Sequence, residues 1–272
     1  MSTSYLAPHL DQLLAGDVHF RVYWNGLAAA DQERYRELWA QIDSVATDDD
    51  AELEKEHVRA FDLTKRWFIR VQNEELYHYT TRDDWWKVAG DRHIQELLFE
   101  RSKARLAEFI RFSATSRTPR WYGGVKPDES LNSKFVRHKE GDALQRRLPD
   151  LWDLIRFRIV PEDLEDVLVT CIQFWEVFFD DIVRCHNYYY RPRNDSYRAV
   201  HFELCDREGN LTEVQVLTAR RDAVSVLDHW HVFKRSGNFL DDGHRAWLLN
   251  MSRASNVLDA RMFREESGAL RF

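Results

Sequence analysis

The chain has 272 residues, 44% of them hydrophobic, and a formal net charge of −7. That length gives one large domain or two small ones with ample core, and the acidic balance argues against a general nucleic-acid coat protein. No apolar run approaches membrane-spanning length and the N-terminus lacks a charged-then-apolar secretory pattern, so no membrane association is expected and the expected location is cytoplasmic.

Residues 1–115 read as a helical region. Apolar spacing of the 3.6 type runs through Leu10 to Leu14, Ala28 to Val45, Ala51 to Tyr77 and Ile94 to Phe112. Asp49 and Asp50 suit the start of the third helix, and Thr80 to Asp84 suits a break in it. Trp24, Trp39, Trp67, Trp85 and Trp86, with Tyr77 and Tyr79, form an aromatic stripe that reads as helix-packing core. Ser113 to Gly124 is mostly polar with Pro and Gly, so it reads as a connection and as the boundary before a second domain, residues 116–272.

Lys126 to Lys134 begins a helix, with Pro127 in its first turn and Asp128 and Glu129 at its positive end. Lys126, Ser130 and Lys134 are four apart and share one face, where two ammonium groups and a hydroxyl can receive phosphate oxygens or simply face solvent. Leu151 to Val160 enters a strand, with Asp153 at its start, and Pro161 to Phe178 follows as an amphipathic helix. Ile182 to Tyr190 returns as a strand. Asp222 to Arg235 and Asp242 to Met262 read as helices. The order predicts an α/β (α+β) fold, a mixed β-sheet flanked by helices with an added N-terminal helical region. The three cysteines, Cys171, Cys185 and Cys205, form no C-x-x-C pair and are expected to be reduced core residues.

The run Ser196 to Leu204 alternates with period two. Arg198, Val200, Phe202 and Leu204 take one face, with Arg198 reaching outward at the strand's start; Tyr197, Ala199, His201 and Glu203 take the other. A turn through Gly209 and Asn210 leads to a partner strand, Leu211 to Thr218. Matching the apolar faces sets Cys205 opposite Leu211, Glu203 opposite Glu213 and His201 opposite Gln215, because a one-residue slip would mix apolar and polar faces. Facing carboxylates repel, so they imply either a cation between them, with Mg²⁺ the economical choice, or a solvated face on which they never meet. Eight Lys/Arg against four acids between Arg117 and Arg147, and four Arg against Asp195 between Arg184 and Arg198, flank this acidic pair. Such stretches suit a polyphosphate held with a metal, or plain surface charge.

Taken together, these motifs resemble the synthetase domain of the RelA/SpoT family, especially the small alarmone synthetases. The family's Lys-x-x-x-Ser-x-x-x-Lys helix is similar to Lys126, Ser130 and Lys134, and its Asp-x-x-x-x-Arg strand to Asp153 and Arg158. Its acceptor loop resembles Asn194 to His201 with one residue inserted. Its Glu-Val-Gln-x-x-Thr strand matches Glu213, Val214, Gln215 and Thr218, and its His-x-x-x-Tyr-Lys resembles His229 through Lys234 with Phe233 for Tyr. Five motifs in order over about 110 residues make a specific signal.

The resemblance implies a nucleotidyltransferase-like sheet and Mg²⁺-dependent transfer of a diphosphate from ATP to the 3′-hydroxyl of a guanosine nucleotide. It implies Asp153 and Glu213 as metal ligands, with Glu213 also helping to deprotonate the hydroxyl. Lys126, Ser130, Lys134 and Arg158 would hold ATP; Arg193, Asn194, Tyr197, His201 and Gln215 would hold the acceptor, with Tyr197 stacking on its base. Arg156, Arg198, His229 and Lys234 are further candidates.

The departures are Gly124, where the family has Arg two residues before the first Lys; Leu217 for the strand's Arg; and Asp195-Ser196 for the Gly before Tyr197. The His-Asp signature of the family's hydrolase half is absent. The resemblance also admits a toxin that modifies the 3′-CCA end of tRNA, and a nucleotide sensor with a decayed site. The N-terminal helices would then serve as a tRNA platform, an antitoxin-binding surface or a homo-oligomer contact.

Overall fold

The structure is a computed structural model that describes residues 14–15, 18–46, 50–69, 71, 88, 90–127, 152–191, 196–228 and 242–267. Its helices are α1 (Val18–Gly26), α2 (Ala29–Asp43), α3 (Asp50–Phe68), α4 (Arg92–Arg111), α5 (Leu164–Phe178), α6 (Ala219–Asp228) and α7 (Asp242–Ser267). Its strands are β1 (Arg120–Val125), β2 (Ile155–Val160), β3 (Ile182–Asn187), β4 (Val200–Cys205) and β5 (Leu211–Val216). They form one mixed five-stranded sheet in the order β1-β2-β5-β4-β3, with β2 and β5 parallel and the other pairs antiparallel. The expected α+β sheet with added N-terminal helices is what the chain forms.

Alternation places the sheet. In β2, Ile155, Phe157 and Ile159 are buried in a core with Val200, Phe202, Val214 and Val216, and α4 and α5 cover that face through Leu106, Phe109, Ile110, Val167, Cys171 and Phe174. Aromatic rings join the layers: Phe99 stacks on Phe157 at 5.1 Å and Phe174 lies 4.7 Å from Phe202. Asp163 caps α5 by accepting from the Asp166 amide, and Asp91 caps α4 by accepting from the Ile94 amide. A second core joins α1, α2, α3, α6 and α7 around Phe20, Trp24, Tyr35, Trp39, Leu53, Val224, Leu227 and Met251. The aromatic stripe of the first hundred residues is in part this packing: Trp24 and Trp39 stack at 5.2 Å.

Two expectations are corrected. Ser113 to Gly124 is not merely a connection, since Arg120–Val125 forms edge strand β1 against β2. Gly123 permits that approach: a Cβ there would stand 2.3 Å from a Phe157 ring carbon and 2.6 Å from the Arg156 carbonyl. Phe68, Leu106, Phe109 and Ile110, which precede the expected boundary at residues 115/116, share one core with β2, β4 and β5. The third predicted helix ends at Phe68, the part of the expectation over 72–77 lying outside the described residues, and α1 was not foreseen. The three cysteines are buried and free, as expected.

The turn from β4 to β5 has Gly209 at φ 79°, and Asp206 Oδ1 accepts from the amides of Glu208 and Asn210. Ser196, just ahead of β4, has φ 37°, a left-handed conformation that disfavours any residue with a Cβ. It belongs to the Asp195-Ser196 pair that stands where the resemblance has Gly before Tyr197. Ser196→Gly is therefore expected to raise stability by about 0.5–1 kcal/mol, read from the urea midpoint; a lowered midpoint would count against strain there.

Candidate active site

The β4–β5 register is the predicted one: Cys205 pairs with Leu211, Glu203 with Glu213 and His201 with Gln215. Two rows of residues thereby cross all five strands on the face away from α4 and α5. One row is Tyr122, Arg158, Gln215, His201 and His186; the other is Gly124, Arg156, Glu213, Glu203 and Arg184. Asp153 lies in the 3-10 turn Trp152–Leu154 that leads into β2, three residues before the Arg156 that pairs with Glu213.

The facing carboxylates of Glu203 and Glu213 have separate partners. Arg184 Nη1 donates to Glu203 Oε2 at 2.8 Å. Glu213 Oε1 lies 3.0 Å from His201 Nδ1, and its Oε2 accepts from Gln215 Nε2 at 3.0 Å. Burial alone would raise the Glu213 pKa and the Asp153 charge adds to that, but the His201 hydrogen bond and charge and the Arg156 guanidinium outweigh both and hold it below its usual value. Asp153 is paired with the Lys126 ammonium, and the Lys126 amide donates to the Leu154 carbonyl at 2.8 Å.

Among the described residues no group of three or more His, Cys, Asp or Glu side chains could hold a metal. Asp153 and Glu213 are two hard oxygen donors whose charges feel each other. That pair fits Mg²⁺, which keeps waters and phosphate oxygens in its shell, and it does not fit a soft-metal site.

Tyr197 is half-buried at the edge of this face, not in the apolar core. Its hydroxyl is 2.8 Å from His201 Nε2, its ring meets Tyr188 and His201 edge-on, and Arg221 lies over it at 5.0 Å. Burial first, and then the Glu213 charge, push its pKa up to about 12 against the pull of Arg158 and Arg221, so it stays a neutral phenol. Arg158 donates from Nε to Gln215 Oε1 at 3.0 Å and from Nη1 to Asp222 Oδ1 at 2.9 Å.

Asp222 on α6 was not foreseen. It is 0% exposed and accepts from Arg158, from Arg120 Nη2 at 2.5 Å, from the Tyr122 hydroxyl at 2.6 Å and from the Tyr35 hydroxyl of α2 at 3.0 Å. Burial and the Asp222 charge hold the Tyr35 and Tyr122 phenols well above their usual pKa, so both remain donors. A lone acid near the start of a predicted helix gave no sign of this role.

Lys126, Asp153, Arg156, Arg158, Glu213, Gln215, His201 and Tyr197 are thus brought together. Arg198 is not: it is 4% exposed, its guanidinium packs over the Phe61 ring of α3 at 4.9 Å, and Nη2 lies 3.4 Å from His57 Nε2. Its place on the apolar face carried it inward instead of outward. Leu217 is fully buried. Ser130, Lys134, Arg193, Asn194, His229 and Lys234 lie outside the described residues.

The family model described as "Region found in RelA / SpoT proteins" matches residues 123–238. Small alarmone synthetase 1 from Bacillus subtilis superposes with TM-score 0.54 and 19% identity, covering 70% of this chain and 99% of that one. The same protein bound to its product pppGpp gives TM-score 0.53 and 18% identity, covering 65% and 95%. Small alarmone synthetase 2 from Bacillus subtilis gives TM-score 0.52 and 17% identity, covering 68% and 100%. At these identities the likeness is one of fold. No curated protein matches the chain. No helix among the described residues is long and apolar enough to cross a membrane.

Proposed function

We propose that this chain is an ATP:nucleotide 3′-pyrophosphokinase whose acceptor is a guanosine nucleotide, a reading supported by the match of residues 123–238 to the region found in RelA / SpoT proteins. The observation that carries the reading is the single sheet face on which Asp153, Arg156, Arg158, Glu213, Gln215, His201 and Tyr197 converge. The acceptor 3′-oxygen forms a bond to the β-phosphorus of ATP. The bridging bond from that phosphorus to the α-phosphate oxygen breaks, AMP leaves, and the hydroxyl proton goes to a base. Such transfer needs positioning and charge neutralisation rather than a covalent nucleophile.

Lys126 and Arg158 are the described cations for the donor phosphates, and Ser130 and Lys134 are assigned beside them from the sequence. Glu213, ionised because its pKa is held low, is placed to receive the acceptor proton. Tyr197 offers its ring to the acceptor base, with His201 and Gln215 beside it. Asp153 and Glu213 would hold Mg²⁺, which when bound neutralises phosphate charge.

The test incubates the purified chain with γ-labelled ATP and GDP, GTP, adenine nucleotides or deacylated tRNA. Label on GDP or GTP is the expected result. Label on tRNA alone would reassign the chain as a tRNA-modifying toxin, and no label anywhere would reassign it as a nucleotide-binding module.

Gly124 offers a sharper check. It pairs with Arg156, and a Cβ built there meets nothing within 4 Å. Gly124→Arg should fold normally and lower the KM for ATP several-fold by adding a guanidinium beside the donor phosphates. An unchanged KM would remove position 124 from the donor subsite.

A further inference from the structure

We propose that Arg221 is a positioning residue for the acceptor, its buried guanidinium backing the Tyr197 ring and fixing it as a shelf for a purine base. The proposal rests on the acceptor role given to Tyr197 above. Arg221 occupies the first turn of α6 and is 2% exposed. Its Nη1 donates to Ser252 Oγ on α7, its backbone amide donates to Thr218 Oγ1 at 3.1 Å, and its Cζ stands 5.0 Å from the Tyr197 ring centroid. The guanidinium is therefore tied to α7 before any ligand arrives, while the Thr218 contact fixes the backbone that carries it.

The ring it faces is fixed on its other sides too. Tyr188 meets it at 5.7 Å and His201 at 5.6 Å, both edge-on, and the hydroxyl is tied to His201 Nε2 at 2.8 Å. Asn256 Nδ2 of α7 donates to the Ser196 carbonyl at 2.8 Å, holding the backbone that leads into Tyr197. In this arrangement the acceptor base would stack on the face turned away from Arg221. Two consequences follow from elementary electrostatics. A ring that does not have to be ordered on binding keeps more of its stacking energy. A cation against one π-face draws electron density toward itself, which leaves the other face less negative and a better partner for an electron-rich purine than for a pyrimidine.

Neither effect acts on the donor, so the expected signature is a split in KM. Steady-state transfer is measured with GDP and with GTP as acceptors. Arg221→Met, which keeps the length and loses the charge, should raise acceptor KM about tenfold while leaving the KM for ATP within about twofold. Arg221→Lys should recover a large part of that loss. Tyr197→Ala should raise acceptor KM by at least as much, and adding Arg221→Met to it should do little more, because the shelf is already gone.

An unchanged acceptor KM in Arg221→Met, with Tyr197→Ala impaired, overturns the role of Arg221 and leaves the acceptor reading standing. No change in Tyr197→Ala overturns the stacking itself and this inference with it. A wild-type chain that neither labels nor binds GDP or GTP overturns both. Equal rises in the KM for acceptor and ATP in both Arg221 variants would reduce Arg221 to a structural residue.

Discussion

Glu213→Gln is expected to lower diphosphate transfer by about 10²–10⁴-fold while the chain still folds. The substitution keeps the shape and leaves one oxygen acceptor where Oε1 meets His201 and Oε2 meets Gln215, at 3.0 Å each. It removes the negative charge that Arg156 and His201 hold ionised and that lies near Asp153. Both proton acceptance and any cation held with Asp153 are lost together. Glu203→Gln is the matched control: Glu203 is as buried as Glu213 and sits directly opposite, but it pairs with Arg184 on the far strand. Its loss should be under about tenfold. Single-turnover rates at saturating ATP measure both variants, and a Glu213→Gln rate equal to wild type would remove the metal and base assignment.

Asp222→Ala is expected to cost about 3–5 kcal/mol of folding stability. The cost does not come from losing one favourable pair. Asp222 is 0% exposed, and two guanidinium groups and two phenol hydroxyls converge on it. Removing it leaves the buried Arg158 without a carboxylate partner, leaves Arg120 with Asp31 alone at 3.4 Å, and leaves the Tyr35 and Tyr122 hydroxyls without that acceptor. Asp222→Asn, which keeps a polar group of the same shape, should lose less. Urea unfolding followed by far-UV circular dichroism reads both, and a loss below about 1 kcal/mol for the alanine variant would show that solvent replaces the carboxylate.

The part of this architecture that could be read from the sequence is the part governed by period two. Val200, Phe202, Leu204, Val214 and Val216 alternate with His201, Glu203, Glu213 and Gln215, and a register that satisfies one face settles the other. Strand β1 escaped because Gly123 and Gly124 make its sequence look like a loop, yet the Phe157 ring lies where a Cβ at 123 would be. The glycine that hid the strand is the one the strand requires. Arg198 was misplaced for a related reason. A cation at a strand's start was expected to reach solvent, whereas α3 supplies Phe61 and His57 to receive it. That contact joins residues 141 positions apart. The convergence on Asp222 is equally non-local, bringing together residues from α2, β1, β2 and α6 that no spacing rule connects.

The parallel pairing of β2 with β5 carries one more implication. Strands β3, β4 and β5 form a meander of near neighbours, whereas Arg158 and Gln215 meet across 57 positions of chain. Asp153, Arg156 and Arg158 stand on one side of this seam, and His201, Glu213 and Gln215 on the other. A nucleotide gripped from both sides would act as a staple, adding about 2.7 kcal/mol to the closed seam at a hundredfold excess over its Kd. Occupancy and the integrity of the sheet are then one equilibrium, so amide exchange along β2 should slow as nucleotide is added.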